Sequence, residues 1–372
     1  MNIGLVIYGR LDTLTGGYLY DRQMVTALEA RGHRVRVTSL PATSYPGRLA
    51  LNWKMPGHMQ GLDLLLQDEL CHPSLIRFNA RRGRRHGPAV AVVHQVLCDE
   101  PRAVWCNRLL RRVEKRYLDG VDGFVFNSRT TRDTVWRLTA ADRPHVVAPP
   151  GGDRLDGTPA PEVITARAQA RGPLRMLFVG NLIPRKGLLP LIQALDGLPR
   201  NAWSLRVVGR LDMDGAHVRR VRQALAARGL AGRVQLVGPR EGSALTAEFN
   251  RAQVLCMPYA YEGFGMATLE AQGFGLPVIG AREGATGELV RSGVNGYLVR
   301  RGDHAAVCRA LDGLNADRTR LGLMGLAARR QFERQPGWAA TMAHLARFLE
   351  SLVASRSTGR RAVSAGQKAV AS

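Results

Sequence analysis

Cysteine and long apolar runs are both scarce in this chain of 372 residues. Its five cysteines form no Cys-x-x-Cys pair, which argues against a disulfide framework and a zinc site and indicates reduced thiols of a cytoplasmic protein. No apolar run reaches the roughly 18 residues of a membrane span, so we expect no transmembrane helix. The first residues lack the basic leader of a signal peptide and are predicted to form a β-strand.

Lysine is also rare, although the chain is strongly basic, with a formal net charge of +23. Of its 53 basic residues, 4 are lysines: Lys54, Lys115, Lys186 and Lys368. Residues 77–116 hold 11 basic and 3 acidic side chains, which account for the whole basic excess of residues 1–170. Such a concentrated charge favours a partner that bears phosphate: anionic lipid, nucleic acid or a phosphorylated substrate.

A strand–helix–strand pattern opens the chain, with strands at Asn2–Tyr8 and Arg34–Ser39 around a helix at Tyr18–Ala30. A second series of this kind starts at Arg175–Gly180. The two series predict an α/β fold of two Rossmann-like, doubly wound domains that face each other across a ligand cleft. Further strands are predicted at Asp63–Gln67, Ala89–His94, Gly123–Asn127, His145–Ala148, Ser204–Gly209, Val234–Val237, Val254–Met257 and Pro277–Gly280.

Composition shifts predict the domain boundaries. The N-terminal domain covers residues 1–152, and a segment rich in Pro, Gly, Ala and charge forms a linker over 153–172. The C-terminal domain covers residues 173–337, and a closing helix covers 338–352. The small, polar and basic tail over 353–372 is expected to be disordered.

Two glutamates, Glu262 and Glu270, flank a Gly-Phe-Gly turn and a short apolar run. This pattern predicts a loop that leads into a helix N-terminus, whose free amides and partial positive charge suit phosphate. Gly263 and Gly265 would let the backbone approach that phosphate closely. Carboxylates accept hydrogen bonds from sugar hydroxyls. Phosphate and hydroxyls together indicate a nucleotide-sugar; the alternative is an ordinary surface loop and amphipathic helix.

A second motif, Asn-Leu-Ile-Pro-Arg-Lys-Gly, occupies residues 181–187. With the E-x7-E pattern, it resembles the signatures of family 4 (group 1) retaining glycosyltransferases with the GT-B fold. In that family an Arg and a Lys bind the donor's diphosphate; Lys186 matches the Lys, whereas Asn181 stands at the Arg position. Asn brings no charge, so Arg185 or Arg210 is expected to compensate. The alternative for this motif is a solvated basic turn.

Other matches follow in the family's order, from residue 2 to about residue 350. His94, after a predicted strand, matches the His that the family holds near the sugar ring. Gly16 and Gly17 resemble its N-terminal glycine loop, and Ser128 matches a Ser that follows a strand. Weaker matches are the turn over 149–153 and the glycine-rich segment over 284–296.

The resemblance implies a metal-independent, retaining hexosyltransferase whose co-substrate is a nucleotide-diphosphate sugar and which needs no cofactor. Glu270 would hold the ribose hydroxyls and Glu262 a hydroxyl of the transferred sugar. The N-terminal domain would face the acceptor, and the C-terminal domain would bind the donor. The expected catalytic residues are His94, Lys186 and Glu262. The expected donor-binding residues are Gly16, Gly17, Asn181, Arg185, Lys186, Arg210, Gly263, Phe264, Gly265 and Glu270.

The acceptor is expected to be a carbohydrate or a lipid-linked sugar. A helix predicted at Pro101–Leu118 has a stripe of apolar side chains at helical spacing, with arginines and a lysine over much of the rest: the stripe is Val104, Trp105, Leu109, Val113 and Tyr117. Either the stripe packs on the sheet, or the basic face docks a cytoplasmic protein peripherally on the inner face of an anionic membrane.

The alternative function is a basic membrane- or nucleic-acid-binding protein with a degenerate donor site. Its support is the net charge and the Asn at the Arg position. No nucleic acid partner is expected, because the basic segment is not interleaved with aromatic residues.

Overall fold

The computed structural model describes residues 1–53, 61–82, 87–100, 102–139 and 142–369. Lys54, Arg84, Arg85 and Pro101, which were part of the charge and helix predictions, lie outside these residues. The chain divides into two compact units. Unit 1 is Met1–Pro150 with Trp338–Ser372, and unit 2 is Gly151–Gly337. Within the described ranges, no helix combines the length and apolarity that a membrane span requires.

Unit 1 contains a six-stranded, all-parallel sheet in the order β2-β1-β3-β4-β5-β6. Strands such as β4 are buried along their whole length because parallel sheets are covered on both faces, which explains their continuous apolar runs. The strands are β1 (Asn2–Tyr8), β2 (Arg34–Leu40), β3 (Leu64–Asp68), β4 (Ala89–Val93), β5 (Gly123–Phe126) and β6 (His145–Val147). The helices are α1 (Gly16–Ala30), α2 (Tyr45–Ala50), α3 (His72–Arg81), α4 (Val104–Leu118) and α5 (Arg129–Leu138).

Unit 2 repeats this architecture with a second six-stranded parallel sheet, in the order β12-β11-β10-β7-β8-β9. Its strands are β7 (Leu174–Val179), β8 (Trp203–Val208), β9 (Val234–Gly238), β10 (Val254–Met257), β11 (Val278–Ala281) and β12 (Gly296–Val299). Its helices are α6 (Pro161–Gln169), α7 (Leu188–Leu195), α8 (Gly215–Ala227), α9 (Gly242–Arg251), α10 (Met266–Gly273), α11 (Thr286–Leu289), α12 (His304–Ala316) and α13 (Arg318–Glu333). The two-domain parallel α/β prediction is therefore confirmed.

The predicted linker contains helix α6. Pro161 stands in its first turn, a position where proline fits, and only Ile164 and Ala168 are buried. Ile164 packs closely on the chain at Gly275, where a Cβ would lie 2.4 Å from its Cδ1 atom. Because so few positions are buried, the segment has almost no apolar periodicity, and its sequence therefore predicts a linker.

Strand β12 was missed because it is short and begins at a glycine. A Cβ at Gly296 would lie 2.1 Å from the carbonyl oxygen of Val278, so only glycine allows this approach to β11.

The closing helix, α14 (Trp338–Ala369), is longer than the predicted 338–352. Trp338, Met342, Leu345 and Leu349 are buried at helical spacing, and the helix packs on α1 and β6 of unit 1. The tail over 353–369, predicted to be disordered, continues as helix. Its Ala- and Arg-rich sequence contains no proline, and extending an existing helix requires no new nucleation.

Candidate functional site

The Glu262–Glu270 segment forms the predicted loop and helix in unit 2. β10 ends at Met257, and α10 begins at Met266, directly after Gly265. Gly265 has φ +99°, a left-handed conformation that glycine adopts without steric cost. The first amides of α10 have no partner within the helix, so this end of the sheet presents the donors that suit an anion.

Lys186 and Arg185 lie beside the carboxylate of Glu262. The Lys186 Nζ atom donates a 2.5 Å hydrogen bond to Glu262 Oε1, and Arg185 Nη1 lies 3.9 Å from Glu262 Oε2. Arg185 also donates to the Tyr261 carbonyl oxygen at 2.7 Å. Burial alone would raise the pKa of Glu262, but Lys186 and then Arg185 outweigh it and hold that pKa below its ordinary value. The structure therefore brings both cations of the 181–187 motif to the first glutamate.

The second glutamate, Glu270, is buried on α10 and paired with Arg154. Arg154 Nε donates to Glu270 Oε1 at 2.9 Å, and the Nη2 group donates to the same oxygen at 2.5 Å. Burial raises the pKa of Glu270, and Arg154 opposes this shift without cancelling it. Both bonds reach Oε1, which leaves Oε2 outside this pair.

Asn181, at the family's Arg position, ties two strand ends together. Its Oδ1 atom accepts a 3.1 Å hydrogen bond from the Arg210 backbone amide. The strands approach closely here, since a Cβ at Gly209 would lie 2.0 Å from the carbonyl oxygen of Gly180. The Arg210 side chain is half-buried and paired with the exposed Asp212 at 2.8 Å. Arg185, rather than Arg210, is therefore the arginine next to Lys186 and Glu262.

Other segments shape the loop before α10. Gly284 has φ +81°, and a Cβ there would lie 2.6 Å from the Glu262 carbonyl oxygen, which accepts a 2.9 Å hydrogen bond from the Ala285 amide. The glycine-rich match over 284–296 thus begins directly against the first glutamate. The Phe264 side chain is buried in the core of unit 2, so only its backbone can serve a donor.

In unit 1, His94 directly follows β4 and is paired with Asp21 of α1. His94 Nε2 lies 2.9 Å from Asp21 Oδ1, and the Asp21 side chain is fully buried. Burial disfavours the charged ring, but Asp21 raises the pKa of His94 to about 9. The imidazolium form therefore dominates at neutral pH.

The N-terminal glycines belong to the first turn of α1, which begins at Gly16, two residues before the predicted start. The Thr15 hydroxyl caps the helix by accepting from the Tyr18 amide. A Cβ at Gly17 would lie 3.2 Å from His94 Cδ2, so glycine here lets the helix lie close to the imidazole. Ser128 caps α5 in the same way, accepting from the Thr131 amide at 3.0 Å.

The model of the family described as "Glycosyl transferases group 1" matches residues 163–331, which contain the motif at 181–187 and both glutamates. Residues 163–331 therefore belong to the group 1 glycosyltransferases.

Two relatives illustrate how far this similarity extends. A D-inositol 3-phosphate glycosyltransferase of Nocardia farcinica is 33% identical over 224 residues, which are 58% of this chain and 49% of that protein. A GDP-mannose-dependent alpha-(1-6)-phosphatidylinositol monomannoside mannosyltransferase of Mycobacterium tuberculosis is 31% identical over 264 residues, 66% of either chain. The chain thus spans about half to two thirds of the curated relatives it matches.

The fold is similar over nearly the whole chain to a sucrose-phosphate synthase from Thermosynechococcus elongatus. The TM-score is 0.81 at 20% identity, with 95% of this chain and 99% of that chain covered. Both six-stranded sheets are therefore those of a GT-B glycosyltransferase fold.

Two partners of the predicted site residues were missed from the sequence. Arg154 follows a Pro-Pro-Gly-Gly-Asp turn in a segment that read as a linker, and no local pattern marked it. Asp21 did carry a signal, because it is an acidic residue among the buried positions Tyr20, Met24 and Leu28 of α1. Charged side chains are rarely buried without a partner, so an acidic residue on an apolar helix face predicts a buried pair.

Proposed function

We propose that this chain transfers a sugar from a nucleotide-diphosphate sugar to an acceptor hydroxyl. The observation that carries the proposal is the contact of Lys186 with Glu262 beside the N-terminus of α10. A cation held by a carboxylate, next to free helix amides, suits a donor that presents phosphate oxygens and sugar hydroxyls together. The M. tuberculosis relative is named as GDP-mannose-dependent, which supports a donor of this class.

The proposed donor contacts divide between the two glutamates. Lys186, Arg185 and the α10 amides would offset the charge of the diphosphate. Glu262 would accept a hydrogen bond from a hydroxyl of the transferred sugar. The ribose hydroxyls would bind Glu270 on Oε2, the oxygen outside its pair with Arg154.

The proposed chemistry begins when the bond between the anomeric carbon and the phosphate oxygen breaks. The electron pair leaves with the phosphate, where Lys186, Arg185 and the helix amides stabilise the negative charge, and oxocarbenium-like charge develops on the sugar. The acceptor hydroxyl attacks from the same face and gives its proton to the leaving phosphate, so the anomeric configuration is retained. Positive side chains take the neutralising role that a metal has in other transferases.

His94 is proposed to contact the transferred sugar. Its pKa of about 9 keeps the ring protonated at neutral pH, so it would donate hydrogen bonds to sugar oxygens and would not act as a base. Asp21 would set the orientation of the ring, and the absence of a side chain at Gly17 would leave room beside it.

A lipid-linked acceptor at an anionic membrane surface is the proposed acceptor class, and it makes the chain a peripheral membrane protein. The N-terminal part of α4 exposes three large apolar side chains, with 69% of Val104, 73% of Trp105 and 55% of Leu109 accessible. Arg108 and Arg112 are exposed on the same helix. Exposed apolar residues flanked by arginines are typical of a helix that lies in a membrane interface. The mycobacterial relative, by its name, acts on a phosphatidylinositol mannoside.

A donor screen tests the proposed function. UDP-, GDP-, ADP- and dTDP-sugars are each added to the purified chain, and thermal unfolding and slow donor hydrolysis are measured. We expect one nucleotide class to raise the melting temperature and its sugar donor to be hydrolysed. The Lys186→Ala variant should show neither the temperature shift nor the hydrolysis. No shift and no hydrolysis with any donor would favour a basic binding protein with a degenerate donor site.

A further inference from the structure

A second cluster of titratable side chains lies in unit 1 and takes no part in the proposed transfer. It consists of Glu69, His72 and Glu114, whose exposed fractions are 1%, 0% and 0%. One ligating atom from each side chain lies within 4.8 Å of the other two. Three potential metal ligands of two chemical types thus converge in a space closed to solvent.

The three residues come from separate elements near the carboxyl ends of β3 and β4. Glu69 lies in the short turn after β3, His72 begins α3, and Glu114 lies on α4. The Glu114 carboxylate accepts hydrogen bonds from the amides of Leu97 at 2.6 Å and Cys98 at 2.9 Å, in the loop after β4. A ligand bound here would therefore connect the segments that follow two adjacent strands.

Glu69 is the residue that indicates a missing partner. Apart from His72 Nδ1, which lies 3.0 Å from Oε1, and the adjacent Glu114 carboxyl, the Glu69 carboxylate has no hydrogen-bond partner in the part of the chain that the structure describes. No lysine or arginine of those residues forms an ion pair with Glu69 or Glu114. The Tyr117 hydroxyl is also buried without a partner there, and its ring lies 6.2 Å from that of His72. Buried carboxylates are normally paired or bound to a metal ion.

The geometry of His72 suits a ligand that binds through Nδ1. This atom lies 3.0 Å from Glu69 Oε1 and 3.0 Å from the Glu69 carbonyl oxygen, while Nε2 lies 3.0 Å from the Tyr45 hydroxyl. Without a metal, Nδ1–H can donate to that carbonyl. The other tautomer donates from Nε2 to Tyr45 and frees the Nδ1 lone pair, as metal-ligating histidines do. Nitrogen and oxygen ligands about 3 Å apart fit zinc bonds of about 2.0–2.2 Å.

We propose that Glu69, His72 and Glu114 bind one divalent transition metal ion, with zinc as the expected ion. Two carboxylates match its charge, and one imidazole with two carboxylates is a donor set that zinc accepts. Structural zinc sites have four ligands, so Glu69 would bind through both carboxylate oxygens, and the ion would hold the segments after β3 and β4 in place. The sequence carries a signal for half of this site, since Glu69 and His72 have Glu-x-x-His spacing, but Glu114 is brought in by the fold.

Zinc content and thermal unfolding of the full chain test this proposal independently of sugar transfer. The tag-free protein is incubated with zinc chloride, passed through a desalting column and analysed for metal. We expect roughly one zinc per chain and a higher melting temperature with zinc, with no such rise with magnesium. Glu69→Gln and His72→Gln should each weaken zinc binding at least tenfold. The matched control is Glu248→Gln, which removes a carboxylate of unit 2 that pairs with Arg206 and should leave zinc binding unchanged.

Cobalt substitution of the wild-type chain supports or overturns the proposal even if a variant fails to fold. Cobalt bound to nitrogen and oxygen ligands gives visible absorption bands without the near-ultraviolet thiolate band. A thiolate band would show a cysteine ligand, such as Cys98 beside Glu114, and would overturn the proposed set of three ligands. No retained zinc and no melting-temperature shift would also overturn it and would identify Glu69 and Glu114 as a buried pair that shares a proton.

Discussion

Lys186 donates a 2.5 Å hydrogen bond to Glu262, although 76 residues separate them in the chain. Both side chains are largely buried, with 17% and 16% exposed. Because Lys186 and Arg185 lower the pKa of Glu262 despite its burial, the carboxylate stays ionised at neutral pH and holds Lys186 beside the start of α10. One glutamate thus positions the cations that the proposed transfer requires.

Replacing Lys186 with Ala should reduce sugar transfer by about ten- to a hundredfold or more. A charge-assisted hydrogen bond contributes about 1.5–3 kcal/mol, and the lost charge would act mainly on the departing phosphate. In this variant Arg185, 3.9 Å from Glu262, remains as a cation beside the buried carboxylate, so the chain should still fold. Product formation and thermal unfolding measure the two effects. Arg219→Ala, which removes an exposed cation of α8, is the control, and wild-type turnover in Lys186→Ala would contradict the site.

Arg185 and Arg210 should differ in their effect on the rate. We expect Arg185→Ala to lower turnover about tenfold or more, because this guanidinium lies beside Glu262, whereas Arg210 pairs with exposed Asp212 and should tolerate the same change. Initial rates at saturating donor distinguish them. A larger loss in Arg210→Ala would reverse the assignment, and no loss in the double variant would show that Asn181 and Lys186 suffice.

Substitutions of the two glutamates should affect turnover and nucleotide binding differently. Glu262→Gln is expected to reduce turnover more than nucleotide affinity, since it should contact the transferred sugar. Glu270→Gln is expected to weaken nucleotide binding, since it should contact the ribose. Calorimetric titration with the nucleotide alone, beside kcat measured with the full donor, tests the split. If Glu262→Gln only weakened nucleotide binding, the two roles would be exchanged.

The pair of His94 and Asp21 should make stability depend on pH. The pKa of His94 is raised to about 9 in the folded chain from about 6.5 in an unfolded one. A raised pKa contributes stability that is fully present below pH 6.5 and is lost as pH rises through 9, by an amount on the order of 3 kcal/mol at most. Nearby carboxylates titrate too, so the measurement is the difference between wild type and His94→Gln. That difference should shrink between pH 7 and 9.5; a constant difference would contradict the charged pair.

Binding to anionic vesicles should depend on the exposed end of α4. We expect Trp105→Ser with Leu109→Ser, and separately Arg108→Ser with Arg112→Ser, to reduce co-sedimentation. Each basic residue near an anionic surface contributes about 1 kcal/mol, and salt should weaken the effect.

The control removes two exposed arginines of α8, Arg219→Ser with Arg220→Ser, and should bind as the wild type does. Arg82 is unsuitable for this test because it pairs with Asp122 and is almost fully buried. Equal binding to neutral vesicles, or none to either kind, would favour an acceptor away from the membrane.

Local patterns in the sequence were enough for every strand except β12 and for the two motifs. β1 and β10 have the predicted bounds, because a buried parallel strand needs an uninterrupted apolar run, which is visible without its neighbours. The loop and helix around Glu262 and Glu270 were also predictable, since glycine conformation and helix starts depend on adjacent residues.

Which side chains pair, and which face of a helix is buried, were decided by the tertiary structure alone. Arg154 and Glu270 are 116 positions apart in the sequence, and His94 and Asp21 are 73 positions apart. At such separations no local residue spacing indicates that two side chains pair. In α4, the predicted stripe was wrong in part: Trp105 is exposed, while Leu110 and Glu114 are buried. The helix turns this face inward because the Glu114 carboxylate binds two amides of the loop after β4, and hydrophobic periodicity records no such polar contact.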